Sequence, residues 1–182
     1  MEPDTKNPQT IICSGAILKG NIKFGKGCVV HPYARINAEQ SGEIIFGDYN
    51  IIEDYVTITN NPSKNKEGKL EPKKMTIGSF NLFEVGCSIT DCEIGSYNEF
   101  GVRSTIPAGC SIQNNFSISP GITMISGYRL PNGYVVFKDG VTRRNALPRQ
   151  EERERSIKEL WAELVRILPS YHTLFPIADG KV

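Results

Sequence analysis

Histidine offers more chemistry near neutral pH than any other side chain, and this sequence holds only two, His31 and His172. A zinc ion that activates water on imidazoles alone takes three of them and keeps a fourth position open. Two histidines do not supply that set. A general base must reach the proton it removes and carry a suitable pKa. His31 directly follows an apolar position, and His172 sits in "ILPSYHTLF". Neither has a carboxylate partner by spacing, so both read as packing or surface residues. The cysteines are no better placed: "CSITDC" separates Cys87 from Cys92 by more than a zinc knuckle allows. No P-loop, dinucleotide fingerprint or nucleophile–base pairing is visible. No catalytic, cofactor-binding or metal-binding residue is expected.

The elements that would have to hold such groups come from a repeat. An apolar residue recurs every sixth position at Ile12, Leu18, Phe24, Val30 and Ile36, then at Phe46, Ile52 and Ile58, then at Ile77, Phe83 and Ile89. After one shorter step it continues through Ile94, Phe100, Ile106, Ile112, Ile118 and Met124. Four places after these residues sits a compact one: Ala16, Cys28, Ala34, Asn50, Val56, Asn81, Cys87, Asn98, Ser104 and Cys110. Glycine often follows directly, as at Gly25, Gly47, Gly78, Gly95 and Gly101, where it is expected to accept unusual backbone angles. Hexads of this kind build a parallel β-helix, three to a triangular coil, with the large residue on the axis and the compact one near a corner. About six coils follow, stacked so that each buries its neighbour's apolar side. A sandwich would need a period of two. The expected class is therefore an all-β parallel β-helix, and left-handed winding is what resemblance to known hexapeptide proteins implies.

Two segments leave the register. "NNPSKNKEGKLEPKK", residues 60–74, is polar and basic and reads as a loop thrown outward between coils. After the coils, "RLPNGYVVFKDGVTRRNALP" reads as a closing strand and turn. Then "EERERSIKELWAELVRILP" places Ile157, Leu160, Trp161, Leu164 and Leu168 on one helical stripe that Pro169 should end. Such a helix is about 28 Å long, and six coils rise about 24 Å, so it should lie along the flank of the solenoid. The expected division is a β-helix over 1–147 with the inserted loop, and a helix and tail over 148–182. The open first coil needs covering, either by residues before Ile12 or by another subunit.

Charge nearly balances, 21 Lys and Arg against 20 Asp and Glu, which gives no reason to expect nucleic acid. The opening "MEPDTKNPQT" shows no apolar h-region, so no secretory signal is expected, and no run is long enough to span a bilayer. An odd set of five cysteines fits reduced thiols. A soluble intracellular protein is expected, and its surfaces are its remaining resource. If Ile12, Val30, Phe46, Ile77, Ile94 and Ile112 begin successive coils, Tyr33, Tyr49, Phe80 and Tyr97 form one outward aromatic column. The column either packs under the C-terminal helix and Trp161, or serves as a protein interface.

Hexapeptide β-helices of this length include acyltransferases and γ-class carbonic anhydrases. The latter's ligand positions fall near Thr59, Val85 and Thr90, and its Arg-Gly-Asp falls over Asn37-Ala38-Glu39; none of these is an imidazole. More specific are "SFNLFEVGC" (residues 79–87), "LPNGYVVFKDGVTRRNA" and "ILPSYHTL", through which nearly the whole chain resembles the dynactin subunit 6 family. That resemblance implies a non-enzymatic β-helix subunit at the pointed end of dynactin. It implies pairing with the sister β-helix, dynactin subunit 5, and association with the actin-related protein and zinc-binding subunit that cap the filament. It further implies a cytoplasmic, cytoskeletal setting in which the pointed end helps dynein engage cargo and adaptors on microtubules.

Overall fold

The computed structural model describes residues 4, 6–39, 42–137, 141–144 (backbone only) and 150–175. Strands of two to five residues alternate with bends, and the chain winds over three faces in turn. The first face stacks Ile11–Ile12, Val29–Val30, Ile51–Ile52, Leu82–Phe83, Glu99–Phe100, Ser117–Ile118 and Tyr134–Phe137 in parallel register. The second stacks Ile17–Lys19, Arg35–Asn37, Thr57–Thr59, Ser88–Thr90 and Thr105–Ile106. The third stacks Asn21–Lys23, Gly42–Phe46, Lys73–Ile77, Glu93–Ile94, Ser111–Ile112 and Arg129–Leu130. The result is a parallel β-solenoid of about six turns. Strands this short form because each backbone group pairs with the turn above or below, not within its own hexad.

The sixfold positions fill the axis. Ile12, Val30, Ile52, Phe83, Phe100 and Ile118 are buried along the first face, and every other sixfold residue is buried except Leu18, which is half-buried. Like rings meet in register: Phe24 stacks on Phe46 at 4.9 Å and Phe83 on Phe100 at 4.8 Å. The compact positions are all buried too. Three of them form a polar ladder inside one corner. Asn50 Nδ2 donates to the carbonyls of Gly47 and Gly78, and Asn81 Nδ2 donates to Asn50 Oδ1 and the Gly95 carbonyl. Asn81 Oδ1 in turn accepts from the Asn98 N–H, and Asn98 Oδ1 from the Phe116 N–H. Each amide thus ties a turn to the next, which satisfies groups that would otherwise be buried without partners.

The glycines play a different part from the one expected. Gly25, Gly47, Gly78 and Gly95 have ordinary φ, but a Cβ on Gly47 would lie 2.9 Å from the Gly78 carbonyl carbon, and one on Gly78 2.6 Å from that of Gly95. They are there because successive turns touch backbone to backbone. The left-handed conformation falls two residues later, on Tyr49 (φ 54°), Phe80 (59°) and Tyr97 (63°).

Register also corrects one sequence-based assignment. Ile36 and Phe46 are separated by ten positions, not six, and Gly42–Phe46 lies on Asn21–Lys23. Phe46 therefore closes the second turn against Phe24 and does not open the third. The 60–74 segment is more than a loop: Ser63–Lys64 and Leu70–Glu71 pair as an antiparallel hairpin, and Lys73 and Lys74 already belong to the third face.

At the far end, Tyr134–Phe137 closes the first face, the expected closing strand, and pairs with an antiparallel strand, Val141–Arg144; residues 138–140 between them lie outside the described residues. The C-terminal helix α1 runs Gln150–Tyr171. Pro169 does not end it; only proline's own N–H is lost so near the terminus, and the His172 N–H still reaches the Leu168 carbonyl at 2.9 Å. Ile157, Trp161 and Leu168 are buried against the solenoid, with Leu160 and Leu164 partly so. At the near end, the residues before Ile12 contribute as expected, through Gly27 N–H to the Pro8 carbonyl and Thr10 Oγ1 to the Gly25 carbonyl. The edge strand itself is covered by the chain's own C-terminal segment. Ser14 N–H donates to the Thr173 carbonyl at 2.8 Å and Phe175 N–H to the Ile12 carbonyl at 2.8 Å.

Candidate functional site

The corner between the third and first faces carries the aromatic column. Tyr49 stacks on Phe80 at 5.1 Å, with planes 9° apart, and Phe80 on Tyr97 at 5.3 Å and 2°. One rise per turn brings the rings to stacking distance. The left-handed backbone at each costs a non-glycine residue roughly 1 kcal/mol or more, a cost the stacking offsets in part. Tyr33 does not belong to this column. The ten-residue step before Phe46 moved it into a false register, and it sits at the corner between the first and second faces, stacked on Tyr55 at 5.1 Å.

Helix α1 covers the column's upper part. Trp161 meets Tyr49 edge to face at 5.6 Å, and the Lys158 ammonium lies 5.8 Å from the Tyr49 ring centroid and 5.6 Å from that of Phe80. Tyr49 is buried, while Phe80 and Tyr97 remain half-exposed. The helix also rests on outward residues of the first face: Ile11, Val29, Ile51 and Leu82 pack with Ile157, Trp161 and Leu168. Sequence reasoning missed this face although its signal was present as apolar doublets, Ile11-Ile12, Val29-Val30, Ile51-Ile52 and Leu82-Phe83. A doublet on a β-solenoid buries one side chain inside and leaves the next outside, in need of a cover. The doublets stop at Glu99 and Ser117, and there Arg153 takes over, 3.3 Å from Glu99 and hydrogen-bonded to Ser117 Oγ. A cleft of about 250 Å³ remains beside it, lined by Phe80, Leu82, Asn98 and the first turns of the helix.

The chemistry-bearing residues do not assemble. His31 does have a carboxylate partner, Asp54 on the next turn, with Nδ1 and Oδ2 3.0 Å apart. Spacing concealed it because the pair is formed across turns. Its Nε2 is buried without a hydrogen-bond partner among the described residues, so the nitrogen a base would use does not face substrate. His172 lies just past α1, exposed. All five cysteines are free and buried. Burial pushes the Cys28 and Cys92 thiols up to about 12 and Cys13 to about 11, away from nucleophilic use. Thr59 and Thr90 face the same way on adjacent turns, and Val85 is exposed at the surface. No group of three His, Cys, Asp or Glu among the described residues could hold a metal ion, and no described helix is long and apolar enough to cross a membrane.

No family model matches the chain. It is 30% identical to Dynactin subunit 6 of Xenopus tropicalis, over 92% of this chain and 82% of that protein. It is 32% identical to Dynactin subunit 6 of Nematostella vectensis, over 90% of this chain and 87% of that one. Among solved structures, a hexapeptide transferase family protein from Anaplasma phagocytophilum superposes with a TM-score of 0.65 at 14% identity, covering 90% of this chain and 93% of that one. That likeness concerns the fold alone.

Proposed function

Because the chain belongs to the dynactin subunit 6 family, we propose that it serves as a non-enzymatic structural subunit at the pointed end of dynactin. In this reading it pairs with the sister β-helix, dynactin subunit 5, and meets the actin-related protein and the zinc-binding subunit. Through them it supports dynein-driven cargo or adaptor binding on microtubules in the cytoplasm. The observation that carries the reading is similarity to Dynactin subunit 6 proteins along about nine-tenths of the chain. Geometry supports it: a solenoid is a rigid rod whose faces keep fixed spacing, suited to docking against long partners.

The rival is an acyltransferase on the same fold. It would use His31 as base, and the buried Nε2 speaks against it. Fold likeness alone does not carry activity across.

Co-purification of the tagged chain from a cell lysate tests the proposal, with subunits identified by mass. Recovery of the sister β-helix and actin-related proteins is the expected result. Homotrimers alone, or stoichiometric zinc in the purified chain, would overturn it.

A further inference from the structure

The corner between the first and second faces carries a second aromatic stack, and nothing described covers it. Tyr33 and Tyr55 lie 5.1 Å apart with planes 9° apart, and they are 55% and 60% exposed. Ile17 on the turn before and Val85 on the turn after are exposed as well. Apolar side chains thus stand at four successive turns beside one corner, over about 14 Å. Clustered exposure of this kind on a folded chain marks an interaction site.

The fold does not require aromatics here. Tyr33 and Tyr55 take φ of 63° and 61°, and the same corner position is filled by Gly86, Arg103 and Gly121 on later turns, at φ of 69°, 54° and 72°. Glycine enters that region freely, tyrosine does not. The bend itself therefore does not dictate tyrosine, and the exposure of the two stacked rings is what points to contact.

The chain itself shows what seats on such a stack. At the other aromatic corner, the left-handed pair Tyr49 and Phe80 is covered by an amphipathic helix that sets Trp161 edge-on to one ring and Lys158 over both. The exposed stack offers a like pair of rings beside a more polar face, with Ile17, Arg35, Thr57 and Ser88 outward on it and a charge pattern of its own. On the first-face side stand Glu53, Asp54 and Glu84; Arg35 stands on the second-face side, and Arg103 at the corner itself two turns beyond Tyr55. Neither arginine makes an ion pair among the described residues.

We infer that the Tyr33–Tyr55 corner is the seat of an amphipathic helix from another subunit of the assembly, with its apolar stripe on the two rings, a Lys or Arg toward Asp54 and an acidic residue toward Arg35 and Arg103. This rests on the proposed place of the chain in dynactin, and adds the surface and the kind of element it receives.

The test places a photo-reactive phenylalanine analogue at position 55 of the full chain, expressed in cells, and maps the crosslink in the purified complex. The expected product joins position 55 to a helix of a different subunit that carries the predicted charges. In parallel, the paired substitution Tyr33→Ser and Tyr55→Ser should lower recovery of that subunit about tenfold with an unchanged melting temperature. If the double variant melts lower, the crosslink on the otherwise native chain decides. Wild-type chain that fails to recover any dynactin subunit sinks the parent reading. Wild-type chain that assembles normally sinks this inference alone if position 55 gives no crosslink, crosslinks a second copy of the chain, or joins a strand or loop.

Discussion

The Trp161 indole stands edge-on to the Tyr49 ring, its plane turned by 78°, and its N–H donates to the Gln9 carbonyl at 3.0 Å. One side chain thus binds the helix, the aromatic corner and the segment leading into the first turn. Trp161→Ala should cost about 3–5 kcal/mol, and Trp161→Phe only about 1 kcal/mol, the part due to the lost hydrogen bond. Denaturant melts of both variants check the ratio; equal losses would mean that the N–H, not the ring, carries the contact.

The amide ladder predicts a second large effect, far from any surface. Asn81 is fully buried, and Asn81→Ala strips partners from the Asn98 N–H and the Gly95 carbonyl. The expected loss is about 2–4 kcal/mol, and hydrogen exchange should quicken at the Asn98 amide before that of Cys87. An unchanged melting temperature would show that neighbouring groups take over those bonds.

Glu53 gives a pH dependence. Burial raises its carboxyl above the ordinary value, against the lowering by the Val85 N–H it accepts and by His31. A carboxyl that holds its proton more tightly folded than unfolded stabilises the native state most at low pH. That contribution falls as pH rises from the unfolded carboxylate value through the raised one. Glu53→Gln retains an acceptor for Val85 and drops the charge. The variant should therefore match the wild type near pH ~4 and gain on it as pH climbs to neutrality. A melting series in which the wild type gains instead would contradict the burial argument.

Thiol reagents supply a fourth check. With Cys28 and Cys92 raised to about 12, Cys87 raised further and every cysteine buried, native labelling should be limited by unfolding, not by reagent. Labelling faster than global unfolding would identify a turn that opens locally.

Ending the chain at His172 should expose the first rung. The Ser14 amide loses its acceptor on Thr173, while the Cys13 amide keeps its bond to the Val30 carbonyl. Hydrogen exchange should therefore accelerate at Ser14 and spare Cys13. Equal protection of both in the shortened chain would assign the cover to residues 8–10 alone.

The solenoid was legible because its core obeys a count. A period of six leaves each face's inward residue unambiguous, and Ile94 through Met124 all lie where the count puts them. What the count does not carry is alignment across an interruption. Ten positions between Ile36 and Phe46 shifted the inferred column by one face, which moved Tyr33 into the wrong stack. Contacts that form only between turns were hidden for the same reason: His31 and Asp54 are 23 positions apart. The glycine row was visible, but a linear sequence does not distinguish a bend that needs freedom from a seam that needs room. The helix's seat could have been read from the apolar doublets on the first face, which were present and went unused.

The strand cover at Ile12–Ser14 comes from Thr173–Phe175, nearly the whole chain later. While the nascent polypeptide is still being made, its opening rung has no lid, and each new turn can stack only on a beginning that stays sticky. The segment that seals this rung is synthesised only after every coil has been, so its docking, rather than the winding of the coils, closes the solenoid's open edge.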